Sequence, residues 1–263
     1  MQRVLIIAGS DPSGGAGIQA DIKAVTCLGG YAMTAITALT VQNTLGVTDV
    51  FPVPEAIITA QGRACLSDIG ADAVKTGMLG TVSVVETVAA LMDEAQGAFK
   101  VVDPVMVAKG GHALLPDEAV SAIRSQLIPR AGLLTPNAPE AEVLTGLRVV
   151  DEISQRRAGE ALLQMGARAV LMKGGHIDGV EVVDWLLTPE GETRFSNPRI
   201  ETLHTHGTGC TLASACAALW RKGLPLEASV SEARDYVLGA IVNAPGLGGG
   251  HGPLKHNWAY TEN

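Results

Sequence analysis

The sequence predicts an α/β protein of three layers: a mainly parallel central sheet, helices on both faces, and an antiparallel hairpin at one edge. Three observations lead there. Short apolar runs alternate with stretches of helical periodicity along the whole chain, the pattern of right-handed βαβ crossovers. Several of these runs stop at a polar residue beside Pro or Gly, as parallel strands do at the rim of an open sheet. Near residue 190 the helical period gives way to strand-like segments flanking Pro189-Glu190-Gly191, a hairpin signal.

The elements follow in order. Arg3–Gly9 reads as a buried strand and Gly17–Leu28 as a helix. Ala32–Leu39 is a strand and Glu55–Ile69 a helix; Ala73–Thr76 is a short strand, and Val82–Ala95 a helix with apolar residues at helical spacing. Lys100–Asp103 is a strand ending in an acid, Asp117–Leu127 a helix, and Leu133–Thr135 a strand ending in Pro136-Asn137. Pro139–Thr145, closed by Gly146, and Glu152–Met165 are helices, and Ala169–Lys173 is a strand before two glycines. Val180–Leu187 and Glu192–Phe195 form the hairpin. Gly207–Gly209 opens a helix to about Arg221, and Glu227–Asn243 forms another. No linker or repeat divides residues 1–263, so one domain is expected. Ligands of such sheets bind beyond the carboxyl ends of the strands. Gly9–Gly17, Gln42–Asn43, Asp103–Pro104, Pro136–Asn137 and Lys173–Gly175 therefore share one rim.

Composition narrows the function. The formal net charge is −8 and the pI near 5.2, which argues against a nucleic-acid footprint. Anionic small substrates remain open, because a few local cations and backbone amides suffice for them. No apolar stretch reaches about 18 residues, so no membrane helix is expected. The N-terminal run reads as a strand, not a signal peptide. Cys27, Cys65, Cys210 and Cys216 show no CxxC and imply neither a zinc site nor a disulfide framework. A cytoplasmic protein with reduced thiols is the expectation.

His204-Thr205-His206-Gly207-Thr208-Gly209-Cys210-Thr211 precedes an Ala-rich helix. Small residues at a helix start leave N–H groups aimed at one spot, where the helix dipole favours an anion. That suits a phosphoryl group in transfer, although a plain helix-starting turn has the same look. Cys210 sits in the first helical turn, which lowers a thiol pKa, and His206 lies four residues before it. A base or nucleophile is one reading and a small buried hydrophobe the other; Cys27, Cys65 and Cys216 read as core. Gly9-Ser10-Asp11-Pro12-Ser13-Gly14-Gly15-Ala16-Gly17 lacks both GxGxxG and Gly-Lys-Ser/Thr, yet can wrap a substrate. Asp103 can hold Mg²⁺ through water. Asn137 and Glu140 can both reach one hydrated metal, or merely cap a helix. Lys173 can touch phosphate oxygens, or snorkel. Lys109-Gly110-Gly111-His112 is a lid candidate. His176, His251 and His256 show no ligand spacing and read as solvated or capping.

Taken together, AGSDPSGGAGIQAD (8–21), ITALTVQNTLGV (36–47), KTGML (75–79), VVDPVM (101–106), LLTPNAPEAEVL (133–144), LMKGGH (171–176) and HTHGTGCTLASA (204–215) carry a resemblance. The chain resembles the hydroxymethylpyrimidine/phosphomethylpyrimidine kinases of thiamine biosynthesis, within the ribokinase-like superfamily, over nearly its whole length and in order. The resemblance implies a ribokinase-like fold and an ATP- and Mg²⁺-dependent kinase. Its acceptors would be 4-amino-5-hydroxymethyl-2-methylpyrimidine and then that monophosphate. It implies Gln42 as the pyrimidine reader, with Gly9, Asp21 and Met78 also against the substrate. Gly207, Thr208 and Gly209 match the anion hole, with Cys210 and His206 as catalytic partners. Asp103 and Glu140 match the metal-side acids, and Lys173, Asn137 and Thr208 the nucleotide contacts. Members of the family are commonly homodimers.

Related pyridoxal kinases share the His206–Cys210 spacing and often carry a lid cysteine; residues 105–115 here contain none, which favours the pyrimidine. A pyridoxal or pyridoxine kinase is the alternative within the fold. A Cys–His enzyme with a covalent intermediate would need a nucleophile elbow, and none surrounds Cys210. A non-catalytic pyrimidine sensor would not need Asp103, Glu140 and Lys173 together.

Overall fold

The computed structural model describes residues 1–106 and 117–260. The expected lid at Lys109–His112 lies outside the described residues. The strands are β1 (Arg3–Ser10), β2 (Tyr31–Asn43), β3 (Gly46–Pro52), β4 (Ala73–Thr76), β5 (Phe99–Val102), β6 (Leu133–Leu134), β7 (Val170–Met172), β8 (Glu181–Thr188) and β9 (Gly191–Pro198). The helices are α1 (Gly17–Cys27), α2 (Glu55–Asp68), α3 (Val82–Glu94), α4 (Asp117–Ala122), α5 (Ala138–Thr145), α6 (Glu152–Gln164), α7 (Thr208–Leu219) and α8 (Leu226–Val242). All nine strands join one sheet in the order β3-β2-β1-β4-β5-β6-β7-β8-β9. From β2 to β7 neighbouring strands are parallel; β3, β8 and β9 run antiparallel.

Strand alternation splits the core into two layers. Leu5 and Ile7 of β1 pack with α2, α3, α5 and α6 on one face. Val4, Ile6 and Ala8 pack with α1, α7 and α8 on the other. Near-continuous apolar strands are what a sheet covered on both faces requires. Ala213, Ala215, Ala217 and Ala218 of α7 are fully buried, and their small side chains let this helix lie close to α1 and the sheet.

The expected hairpin near residue 190 is β8–β9. A second antiparallel edge, β3, was not expected. The reading of β2 stopped at Leu39, because the polar residues after it look like loop; the strand continues to Asn43 and turns into β3. Alternation along this ribbon has a consequence. Thr40 and Gln42 turn inward, whereas Leu39 and Val41 face out at 47% and 58% exposure, with Phe51 opposite Leu39 at 66%.

A buried ion pair ties three elements together behind the rim. Lys75 of β4 donates to both carboxylate oxygens of Asp21 on α1 at 2.9 Å, and Ser214 of α7 donates to Asp21 Oδ1 at 2.7 Å. Both charges are fully buried. Burial acts to lower the Lys75 pKa, but Asp21 outweighs it and holds the ammonium charged. Removing one partner of such a pair strands the other charge, at a cost of about 3–5 kcal/mol.

Candidate active site

A cleft of about 800 Å³ follows the carboxyl-end rim. It runs from Thr40, Gln42 and Val47 on β2 and β3 to Val182 and Asn197 on β8 and β9, passing the first turn of α7. Gly9 and Met78 form part of its wall; a Cβ on Gly9 would lie 2.7 Å from Met78 Cε, so a larger residue there would push the Met78 side chain aside. Asp21, expected against the substrate, is not among the lining residues, because Lys75 and Ser214 hold it in the interior.

The start of α7 is built for close approach. Gly207 caps the helix with φ +81°, and a Cβ there would overlap the Gly15 carbonyl of the first loop. Thr208 bonds back to Thr205 O through both its N–H and its hydroxyl. The N–H groups of Gly209 and Cys210 have no hydrogen-bond partner among the described residues. A Cβ on Gly209 would lie 3.2 Å from Lys173 Nζ and 3.9 Å from Asp103 Oδ2. Two open N–H donors, a helix N-terminus and a lysine thus converge on one spot in the cleft, as an anion requires.

Lys173 joins the two acids. Its Nζ lies 2.9 Å from Asp103 Oδ1 and 3.8 Å from Glu140 Oε2. Burial acts to lower its pKa, but Asp103 and Glu140 raise it further and keep it cationic. Burial pushes Glu140 up to about 7, against the pull of Lys173. Thr135 also donates to Asp103 Oδ1, at 3.0 Å. The expected reach of Asn137 to a metal is replaced by a reciprocal cap. Asn137 Oδ1 accepts from Glu140 N at 2.9 Å and Glu140 Oε2 accepts from Asn137 N at 2.8 Å, because N-x-x-E at a helix start closes on itself.

No group of three or more His, Cys, Asp or Glu suited to a metal exists among the described residues. Asp103 Oδ2 and Glu140 Oε1 accept no hydrogen bond among those residues, and both side chains line the cleft. One or two carboxylate oxygens plus water is what Mg²⁺ takes, since it sheds water reluctantly. The donor set therefore fits a hydrated Mg²⁺ and does not form a closed cage.

His206 and Cys210 do not pair. His206 is buried with its Nε2 2.8 Å from Asp11 Oδ2, while the Cys210 sulfur meets the Gly17 N–H. Asp11 also accepts from Ser13 N, Ser13 Oγ and Ala16 N at 2.7–2.8 Å. Burial acts to raise its pKa, but these bonds, led by that of His206, hold it below the ordinary carboxylate value. Burial pushes the Cys210 thiol up to about 11, the reverse of the lowering its place at a helix start predicts. Desolvation and the nearby Asp21 and Asp103 outweigh Lys75 here. His256, read as solvated or capping, is buried against Thr211 Oγ1 at 2.9 Å, and burial pushes its pKa down to about 4. Cys216 is buried as read, and Cys27 and Cys65 pack half-buried against the core.

Sequence reasoning missed three groups. Asp11 carries the local signal Asp-x-Ser, an Asx turn, but nothing local points to His206. Lys75 breaks an otherwise uncharged strand. Asp184 interrupts the apolar run of β8; in the cleft wall it accepts from Gly174 N and Arg234 Nε, both at 2.7 Å.

Comparison with known proteins places this geometry. The family model described as phosphomethylpyrimidine kinase matches residues 11–255. The hydroxymethylpyrimidine/phosphomethylpyrimidine kinase of Haemophilus influenzae is 45% identical over 265 residues, 99% of this chain and 98% of that protein. The thiamine biosynthesis bifunctional protein ThiED of Geobacter sulfurreducens is 49% identical over 253 residues, 96% of this chain; the chain spans about half, 52%, of that longer protein. Among solved structures, an ADP complex of Bacillus subtilis pyridoxal kinase superposes with a TM-score of 0.92 at 36% identity, covering 100% of both chains. Phosphomethylpyrimidine kinase from Clostridium difficile superposes at 0.81 with 39% identity, covering 92% of this chain and 100% of that one.

Proposed function

Because this chain belongs to the phosphomethylpyrimidine kinase family, we propose that its cleft carries two successive phosphoryl transfers from ATP. The first acceptor is the hydroxymethyl group of 4-amino-5-hydroxymethyl-2-methylpyrimidine. The second is the monophosphate so formed, giving the diphosphate used in thiamine biosynthesis.

The observation that carries this reading is the shared rim. Gln42 presents a terminal amide to the same cleft in which the Gly209 and Cys210 N–H groups meet Lys173. An amide offers one donor and one acceptor, the complement of a ring nitrogen beside an exocyclic amine, as glutamine pairs with adenine. Gly9 and Met78 pack the ring. The open N–H groups at the start of α7 receive the phosphoryl in flight, whose charge is spread over its oxygens. Lys173 and the side-chain amide nitrogen of Asn137 serve the nucleotide phosphates, and Thr208, with both donors on Thr205 O, shapes the turn beside them. Asp103 and Glu140 would hold hydrated Mg²⁺, which neutralises phosphate charge when bound. Burial raises the Glu140 carboxyl to about 7, and a bound cation would favour its anionic form.

Cys210 stands in this scheme as the proton acceptor for the alcohol, and His206 as part of the substrate wall. A covalent Cys–His mechanism finds no support, since His206 is committed to Asp11 and does not pair with Cys210. Pyridoxal kinase is the second reading, favoured by the 0.92 superposition. Sequence weighs against it: the full-length pyrimidine kinase relative is 45% identical and that pyridoxal kinase 36%. Four free cysteines suit a reducing compartment, and we place the protein in the cytoplasm. A homodimer belongs to the same proposal, with the exposed Leu39, Val41 and Phe51 of β2 and β3 as the face a second copy would cover.

Gln42→Leu keeps the volume and removes the pairing. It is expected to weaken binding of the pyrimidine alcohol by about 1–3 kcal/mol, or roughly 5- to 150-fold in Kd. Calorimetric titration checks this; unchanged affinity would move recognition away from Gln42.

A further inference from the structure

The amide of Gln42 has one consistent orientation. With its nitrogen toward His206, two conflicts arise. Gln42 Nε2 would stand 3.4 Å from His206 Nε2, which donates to Asp11 Oδ2. The single Thr40 hydroxyl hydrogen would have to serve both Ser10 O at 2.9 Å and Gln42 Oε1 at 3.2 Å. Asp11 leaves no freedom at the first contact. Its carboxylate takes Ser13 N, Ser13 Oγ, Ala16 N and His206 Nε2, four donors for its four lone-pair positions, so the proton is on His206 Nε2. Exchanging oxygen and nitrogen of the amide removes the facing donors and frees the Thr40 hydrogen for Ser10 O, while the His206 Nε2–H, directed to Asp11 at 2.8 Å, gives its weaker branch to the amide oxygen at 3.4 Å. The oxygen then accepts from His206, the nitrogen donates to Thr40 Oγ1, and Thr40 donates to Ser10 O. Amide orientation is a matter of network consistency, and here only the exchanged orientation avoids setting two donors against each other.

We propose that Asp11, through His206, and Thr40 fix which end of the Gln42 amide lies where, and so select a ring edge that carries an amino donor beside a nitrogen acceptor. Asp11 and Thr40 are positioning residues; only Gln42 reads the ring. The inference rests on the pyrimidine-kinase reading and adds the reason that its recognition has a direction. One lone pair of the amide oxygen and one amide N–H remain for the substrate, in fixed order. An acceptor lacking the amino group leaves the oxygen unpaired. Without the anchor at Thr40 the amide can turn over and present the reverse order.

The test is the ratio of kcat/KM for the amino-pyrimidine alcohol to that for its analogue lacking the 4-amino group. Wild type is expected to favour the amino compound. Thr40→Val is expected to cut that ratio about tenfold, through KM with kcat nearly held, since the cradle is untouched. Thr40→Ser, which keeps the hydroxyl, is expected to restore it. Thr40 is chosen because Asp11→Asn also removes the turn that holds the first loop. An unaltered ratio in Thr40→Val, or a loss in Thr40→Ser as large as in Thr40→Val, overturns the proposal. If Gln42→Leu weakens binding while Thr40→Val leaves the ratio intact, the orienting role fails and the pyrimidine reading stands. If Gln42→Leu also has no effect, the two fall together.

Discussion

Gly209→Val is expected to lower turnover by about 10²–10³-fold with both the pyrimidine alcohol and its monophosphate. That is the range for loss of a preorganised donor to a developing oxyanion. The cause is steric. The first added carbon lies 3.2 Å from Lys173 Nζ and 3.9 Å from Asp103 Oδ2, and a β-branched side chain fills the space the transferred oxygens need. Both steps suffer alike because both move the same group through one cradle. The fold should survive, since the methyl groups point into the cleft and away from the core beneath α7. ADP release, read with thermal melting of the same preparation, checks both points. A folded variant with normal turnover would show that the loop only starts a helix.

Cys210→Ala is expected to separate the two steps. An alcohol must lose its proton on phosphorylation, whereas a phosphate monoester, with a second pKa of about 6, is already anionic at neutral pH. A general base contributes about 10²–10⁴-fold. With the thiol near 11, only about one molecule in 10⁴ is a thiolate at pH 7, so the base carries little of the rate there. Its contribution belongs to high pH: as the thiolate fills, loss of the base should cost about 10²–10⁴-fold with the alcohol and little with the monophosphate. The sign of the pH dependence follows. The active form is the deprotonated one, so wild-type kcat/KM for the alcohol should climb as pH rises from 7 toward 11, and in Cys210→Ala that climb should vanish. The monophosphate should show no such climb in either protein. Equal slowing of the two steps would mean that Cys210 acts through packing or cradle shape. An alcohol step left intact at high pH would mean that the proton goes elsewhere, for instance to the phosphoryl oxygens themselves.

The parallel part of the fold was legible because each of its strands is buried on both faces and flanked by a helix of clear period. β3 and the second half of β2 were not. Their polar and exposed residues, Thr40, Gln42 and Asn43, read as loop, although it is the strand that turns Thr40 and Gln42 inward. The rule that ligands gather at the carboxyl ends of parallel strands put Gln42, Asp103 and Lys173 on one rim, and small residues at a helix start pointed to Gly209; the structure brings all four to one cleft. Asn137 and Glu140 show where a local pattern is ambiguous: the same spacing serves a metal or a cap, and the backbone takes the cap. Partners distant in sequence left no local trace. His206 meets Asp11 across 195 positions, and Lys75 meets Asp21 across 54. The thiol pKa went the wrong way for a related reason. A helix start is visible in sequence, but the acids and the desolvation that surround Cys210 come from other strands.

ADP release by the purified protein with ATP and Mg²⁺, each acceptor supplied alone, tests most directly that this cleft is a two-step pyrimidine kinase. The acceptors are the amino-pyrimidine alcohol, its monophosphate and pyridoxal. Turnover of both pyrimidines, with kcat/KM for the alcohol above that for pyridoxal, is the expected result. The monophosphate is the deciding acceptor, because a kinase for pyridoxal alone has no second transfer to perform. Pyridoxal as the preferred acceptor, with no ADP formed from the pyrimidine monophosphate, would contradict it.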